Sequence, residues 1–145
     1  MKTTERHHVR TIIVVDDNVD AASSLGMLLK LDGHAVQTAT TGVRALELAQ
    51  ISPPDLFIID LGMPRMDGFE VARRIRAEQW GSRTMLIAMT GWSREEDIEQ
   101  SLNAGFNYHL VKPVEIDALR SLIANHSWPA TPVLQAFESP GASAG

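Results

Sequence analysis

The sequence predicts an α/β protein built on an open, parallel, doubly wound sheet, and three observations predict it. Leu56-Phe57-Ile58-Ile59 and Ile12-Ile13-Val14-Val15 are short, unbroken apolar runs rich in β-branched residues, as strands covered on both faces require. Between such runs lie segments of helical period, opened by Asn, Thr, Asp or Ser and closed by Gly or Pro. This strand–helix rhythm repeats five times in about 120 residues, enough for an open sheet and far too little for a closed eight-unit barrel.

Val9 to Val15 is the first strand, ending on Asp16-Asp17. Asn18 caps a helix to about Leu31, with Ala22, Leu25, Leu28 and Leu29 on one face and Gly33 placed to end it in a left-handed conformation. His34 to Ala39 is a second, more polar strand suited to a sheet edge. Thr41 caps a second helix carrying Val43, Leu46, Ala49 and Gln50, stopped by Ser52-Pro53-Pro54. The central strand runs to Asp60, where Leu61-Gly62-Met63-Pro64 cannot continue it.

Asp67-Gly68-Phe69-Glu70 has capping-box spacing and opens a third helix, with Val71, Ala72 and Ile75 inward; Gly81-Ser82 ends that unit. Met85 to Met89 is the fourth strand, ending on Thr90-Gly91. Ser93-Arg94-Glu95-Glu96 is a second capping box, starting a charged helix to about Ala104 that stops at Gly105. Tyr108 to Val111 is the fifth strand, ending on Lys112-Pro113. A last helix runs from about Val114 to Asn125 and buries Ile116, Leu119, Leu122 and Ile123. Residues 1–8 read as an N-terminal tail, 9–126 as one domain, and the Pro-, Gly- and Ser-rich stretch 127–145 as a flexible tail.

The 145 residues suffice for one domain with a real core. A net charge of −5 gives no electrostatic case for nucleic acid or an anionic membrane. The absence of cysteine excludes disulfides, thiolate metal sites and cysteine nucleophiles. With neither a signal-like N-terminus nor a membrane-length apolar stretch, the expectation is a cytoplasmic protein.

Five such units fit the flavodoxin-like strand order 2-1-3-4-5, in which ligands bind outside the carboxyl ends of the strands at the switch point. That order makes the strands ending in Asp16-Asp17 and Asp60 neighbours, with those ending in Thr90 and Lys112 next in line. Three clustered carboxylates need a cation or a shared proton, and an oxygen-only donor set suits Mg²⁺. Thr90 adds a hydroxyl donor and Lys112 a point charge on a flexible stem. Gly62 and Gly91 let the backbone approach a small anion. A carboxylate nucleophile, a metal, a hydroxyl and a lysine together make a site for phosphoryl transfer, with an acyl phosphate as product.

The acidic pair Asp16-Asp17, the run Asp60-Leu61-Gly62-Met63-Pro64-Arg65-Met66-Asp67-Gly68, Thr90-Gly91 and Lys112-Pro113 resemble the receiver domain of two-component response regulators. The resemblance covers about Arg10 to Asn125. It implies that Asp60 takes a phosphoryl group from the phosphohistidine of a histidine kinase or phosphotransfer protein. It further implies that Asp16, Asp17, Asp60 and the Gly62 carbonyl hold Mg²⁺, Asp16 through a bound water. Thr90, Lys112 and the Gly62 and Gly91 backbones then bind phosphoryl oxygens, and the Lys112–Pro113 bond is cis. Such a protein catalyses only its own phosphorylation and dephosphorylation, and it switches the face formed by its fourth helix, fifth strand and fifth helix.

Two departures from the family's usual pattern stand out, one at His109 and one at the pair Gly62 and Trp92. His109 stands where the switch residue is normally Tyr or Phe, and is read as a functioning variant. Small Gly62 and bulky Trp92 lie two residues beyond Asp60 and Thr90; Trp92 is expected to cover the acyl phosphate and limit water access. With no effector domain after Asn125, output is expected through protein contact or phosphorelay, and the sequence around Asp60 and His109 also resembles receivers attached to hybrid histidine kinases. The rival reading is a pseudo-receiver acting as a phosphorylation-independent interaction module, which would be expected to lack one of these residues. An EF-hand fails because Ala21 and Met27 occupy the required Gly and Glu positions. A dinucleotide fingerprint fails because the turn after the first strand has no glycine. A haloacid-dehalogenase-type phosphatase fails because Gly62 stands where its second Asp belongs.

Overall fold

In the computed structural model, residues 9–91 and 95–128 are described. Five strands alternate with five helices: β1 (Thr11–Val15), α1 (Val19–Leu31), β2 (Ala35–Ala39), α2 (Gly42–Ile51), β3 (Leu56–Asp60), α3 (Gly68–Ala77), β4 (Met85–Thr90), α4 (Glu95–Ala104), β5 (Tyr108–Val111) and α5 (Ile116–Asn125), with one 3-10 turn at Gln79–Gly81. The strands are all parallel, in the order β2-β1-β3-β4-β5. This is the flavodoxin-like 2-1-3-4-5 sheet that the sequence predicts. The more polar β2 lies at an edge, and every residue of β3 and β4 is buried.

Strand parity divides the core in two. Ile12, Val14, Leu56, Ile58, Ile87 and Met89 pack with Ala22 and Leu29 of α1 and Leu119 and Ile123 of α5. Ile13, Val15, Phe57, Ile59, Leu86 and Ala88 pack with α2, α3 and Ala104 of α4. Burying such a set on both faces is the main favourable term in folding.

The helix ends follow their chemistry. Asn18, Thr41 and Asp67 each accept a hydrogen bond from a first-turn amide, of Ala21, Arg44 and Glu70 respectively. Gly33 and Gly105 have φ of 98° and 110°, the left-handed geometry expected after α1 and α4.

Some expectations need correction. The first strand starts at Thr11 rather than Val9, because the Arg10 amide donates to His34 Nδ1 instead of joining the ladder. The last helix starts at Ile116 rather than Val114, and the fourth strand continues through Thr90. In α1 the buried stripe is Ala22, Gly26 and Leu29, while Leu28 is exposed. The helix closes on the edge strand over Gly26, where a Cβ would stand 3.1 Å from the Thr38 methyl. In α2 the buried residues are Gly42, Ala45, Leu48 and Ala49, whereas Val43 and Gln50 face outward. Beyond α5, Trp128 is packed: its indole N–H donates to the Ile123 carbonyl and the Arg10 guanidinium stacks on its ring at 4.0 Å. The Ser93 cap and most of the proposed tail lie outside the described residues.

Candidate functional site

Pairing carries the functional residues to one end of the sheet. Val15 lies opposite Ile59 and Asp60 opposite Met89, while Thr90 lies opposite Val111. Backbone hydrogen bonds extend these ladders past the strand ends, from Asp16 N to Ala39 O, Leu61 N to Met89 O, and Lys112 N to Thr90 O. Asp16, Asp60, Thr90 and Lys112 therefore stand in a row at the carboxyl edge. Asp16, Asp60 and Lys112 continue the parity of Val14, Ile58 and Leu110, so they share the α1–α5 side. Thr90 continues that of Leu86 and Ala88, on the opposite side.

Asp16, Asp17 and Asp60 each offer a carboxylate oxygen, and these oxygens lie within 4.8 Å of one another. Asp16 and Asp60 are buried, whereas Asp17 is exposed. Two of the carboxylates are held by the local backbone: Asp16 Oδ1 accepts from Asn18 N at 3.0 Å, and Asp60 Oδ1 from Gly62 N at 3.1 Å. The Lys112 ammonium bridges them, 3.2 Å from Asp16 Oδ2 and 3.5 Å from Asp60 Oδ1. The Lys112–Pro113 bond is cis.

Burial pushes the Asp60 carboxyl above its ordinary value, with Asp16 adding to the rise; the Gly62 amide and the Lys112 charge oppose it. Burial alone would lower Lys112, but Asp60 and Asp16 outweigh it and hold the ammonium above its ordinary value. Three carboxylates against one ammonium leave two negative charges. That excess and the all-oxygen donor set fit a hard divalent cation such as Mg²⁺.

The glycines of the site differ. A Cβ at Gly62 would make only an ordinary contact with Asp60, and at Gly91 it would meet nothing within 4 Å among the described residues. Packing thus requires glycine at neither position. Gly68, the last residue of the run from Asp60, is confined: a Cβ there would lie 2.7 Å from the Asp60 carbonyl and 2.9 Å from Leu61 Cα. It seats the start of α3 directly against the backbone of Asp60. The motif's Asp-Gly pair carried that signal.

His109 pairs with Ala88, and its Nδ1 lies 3.0 Å from Ser101 Oγ of α4. Tyr108 points the other way, its hydroxyl 3.1 Å from His126 Nδ1. Ser101 was missed from sequence, since nothing local marks one serine of α4 as the partner of a strand imidazole. Trp92 lies outside the described residues.

Fold and site together define a doubly wound α/β protein with an acidic, lysine-bridged crevice at its switch point. The family model for the response regulator receiver domain matches residues 12–124, and the chain belongs to that family. An uncharacterized 14.6 kDa protein of Leptolyngbya boryana is 40% identical over 104 residues, covering 72% of this chain and 79% of that one. The sensor protein EvgS of Escherichia coli strain K12 is 34% identical over 111 residues; these cover 77% of this chain but only 9% of EvgS. Among solved structures, chemotaxis protein CheY4 of Vibrio cholerae superposes with a TM-score of 0.77 at 27% identity, covering 81% of this chain and 98% of that one. The receiver domain of the sensor histidine kinase PA1611 of Pseudomonas aeruginosa, with a magnesium ion coordinated in its active-site cleft, gives 0.73 at 29% identity, covering 80% and 95%.

Proposed function

We propose that the chain is a phosphorylation-controlled switch in which Asp60 accepts a phosphoryl group from a phosphohistidine. The observation that carries this reading is the Lys112 ammonium set between the Asp16 and Asp60 carboxylates at the ends of neighbouring strands. An Asp60 carboxylate oxygen attacks phosphorus; the P–O bond forms as the P–N bond to the donor imidazole breaks, and the imidazole keeps the electron pair. Asp16, Asp17, Asp60 and the Gly62 carbonyl would hold Mg²⁺, which when bound supplies charge neutralisation for the transferred group. Lys112 then leaves its carboxylate partners for a phosphoryl oxygen, and the Thr90 hydroxyl and the Gly62 and Gly91 amides donate to the others.

The partner is a histidine kinase or a phosphotransfer protein. Val19, Met27 and Leu31 are exposed on one side of α1, with the small, exposed Ser23 completing the four-residue spacing, and the helix begins beside the acidic pair. This stripe is the surface we assign to the donor, as a mainly apolar face next to the reacting group suits a packed helix. Output is assigned to the face of α4, β5 and α5, where Ile98, Leu102 and Val111 are exposed. Beryllofluoride, a phosphoryl mimic, should bind the wild type in the presence of Mg²⁺ and leave Asp60→Asn unbound, as read by ¹⁹F NMR. Equal binding to both would contradict the assignment of Asp60.

A further inference from the structure

His109 and Ser101 form a contact in which the proton can be placed by counting. Ser101 is 1% exposed; its Oγ lies 3.0 Å from the Asp97 carbonyl oxygen one turn back and 3.0 Å from His109 Nδ1. A serine hydroxyl has one proton to donate. If it goes to the Asp97 carbonyl, Nδ1 must carry a hydrogen and donate to Oγ, so both contacts are hydrogen bonds. His109 Nε2 is then a buried acceptor with no partner among the described residues. If the proton goes to Nδ1 instead, the Asp97 contact is no longer a bond and Nε2–H becomes a buried donor without an acceptor. Orphaned buried N–H groups are the rarer case. The first arrangement makes one bond more and leaves the lesser orphan.

The contact also has a place in the fold. His109 lies opposite Ala88, two residues before Thr90, and Ala88 and Thr90 share the sheet face that α4 covers. Ser101 thus joins the imidazole of β5 to the helix lying above the Thr90 strand.

We propose that Ser101 is the positioning residue of the switch: it fixes His109 in the Nδ1–H tautomer beneath α4 and so couples α4 to β5. The coupling half rests on the reading of Asp60 as phosphoacceptor; the tautomer half does not. A ring already held inward needs no reorientation when Thr90 moves toward a phosphoryl group. The bond therefore favours the phosphorylated arrangement.

Long-range ¹H–¹⁵N correlation spectra of the full chain, with His109 assigned by its loss in His109→Phe, read the tautomer directly. The wild type should give the Nδ1–H pattern, Ser101→Ala should lose it, and Ser101→Thr, which keeps a hydroxyl, should retain it. An Nε2–H or imidazolium pattern in the wild type overturns the proposal even if no variant folds, and so does an Nδ1–H pattern that survives in folded Ser101→Ala. Labelling by acetyl phosphate should slow about fivefold in Ser101→Ala, the worth of one hydrogen bond. An unchanged rate overturns the coupling. Failure of the wild type to label at all removes the Asp60 reading and the coupling with it, while the spectrum still decides the tautomer.

Discussion

Lys112 shows how much one side chain settles at this site. Its ammonium is the counter-charge that the structure places against Asp16 and Asp60, and it is still a third exposed. Lys112→Ala should therefore cost only about 1 kcal/mol in urea unfolding at neutral pH, because solvent screens the pair. Because Asp60 and Asp16 hold the ammonium above 10.5, this contribution is present across the neutral range and fades as pH climbs past that value. A loss as large at alkaline pH as at pH 7 would contradict the pairing. At this scale the sequence was most informative where a polar residue ends an apolar run. Asp16, Asp60, Thr90 and Lys112 are legible because a buried strand that stops on a polar group needs a reason. Ser101 was not legible, because its meaning comes from a strand that follows it in the chain and folds beneath its helix.

Helix α1 illustrates what the element scale adds. Helical spacing alone allots Leu25, Leu28 and Leu29 to one inner face, but contact with the edge strand is centred on Gly26, where the absent Cβ lets the helix close in. Met27 and Leu31 stand outside, at 62% and 77% exposure. The helical period shared by Ala22, Leu25 and Leu29 puts both on the far side of the helix. Their exposure yields a prediction that separates docking from chemistry. Met27→Glu should slow phosphoryl transfer from a phosphohistidine donor protein about tenfold, as for a central interface residue. Labelling by acetyl phosphate, which needs no docking, should be unaffected. Equal losses with both donors would place the effect in the crevice rather than on α1. Caps and stops, by contrast, were readable residue by residue: Asn18, Thr41, Asp67, Gly33 and Gly105 act where their chemistry requires.

At the scale of the whole molecule, two of the long-range fastenings among the described residues are not visible in the sequence. The half-buried Arg76 of α3 donates to the carbonyls of Gly81, Thr84 and Gly105 and to Asn107 Oδ1, tying α3 to the turns that precede β4 and β5. At the far end of the sheet, Tyr108, His126 and Trp128 stack edge to face, and Arg10 covers the indole. Burial lowers His126 below its ordinary 6.5, aided by the charges of Arg10 and Arg76. The unfolded chain thus takes up a proton that the folded one resists, and stability falls as pH drops through and below 6.5. Compared with His126→Phe, the wild type should lose thermal stability between about pH 7 and about pH 5. Parallel pH curves for the two would contradict this account.

The order of the sheet brings these layers to bear on one carboxylate, and that carboxylate is the claim to test. Intact mass after incubation with acetyl phosphate and Mg²⁺ measures it on wild type and on Asp60→Asn. The account predicts the gain of one phosphoryl group by the wild type and none by the variant. Equal gain in both, or no gain in a folded, Mg²⁺-bound wild type, would contradict it.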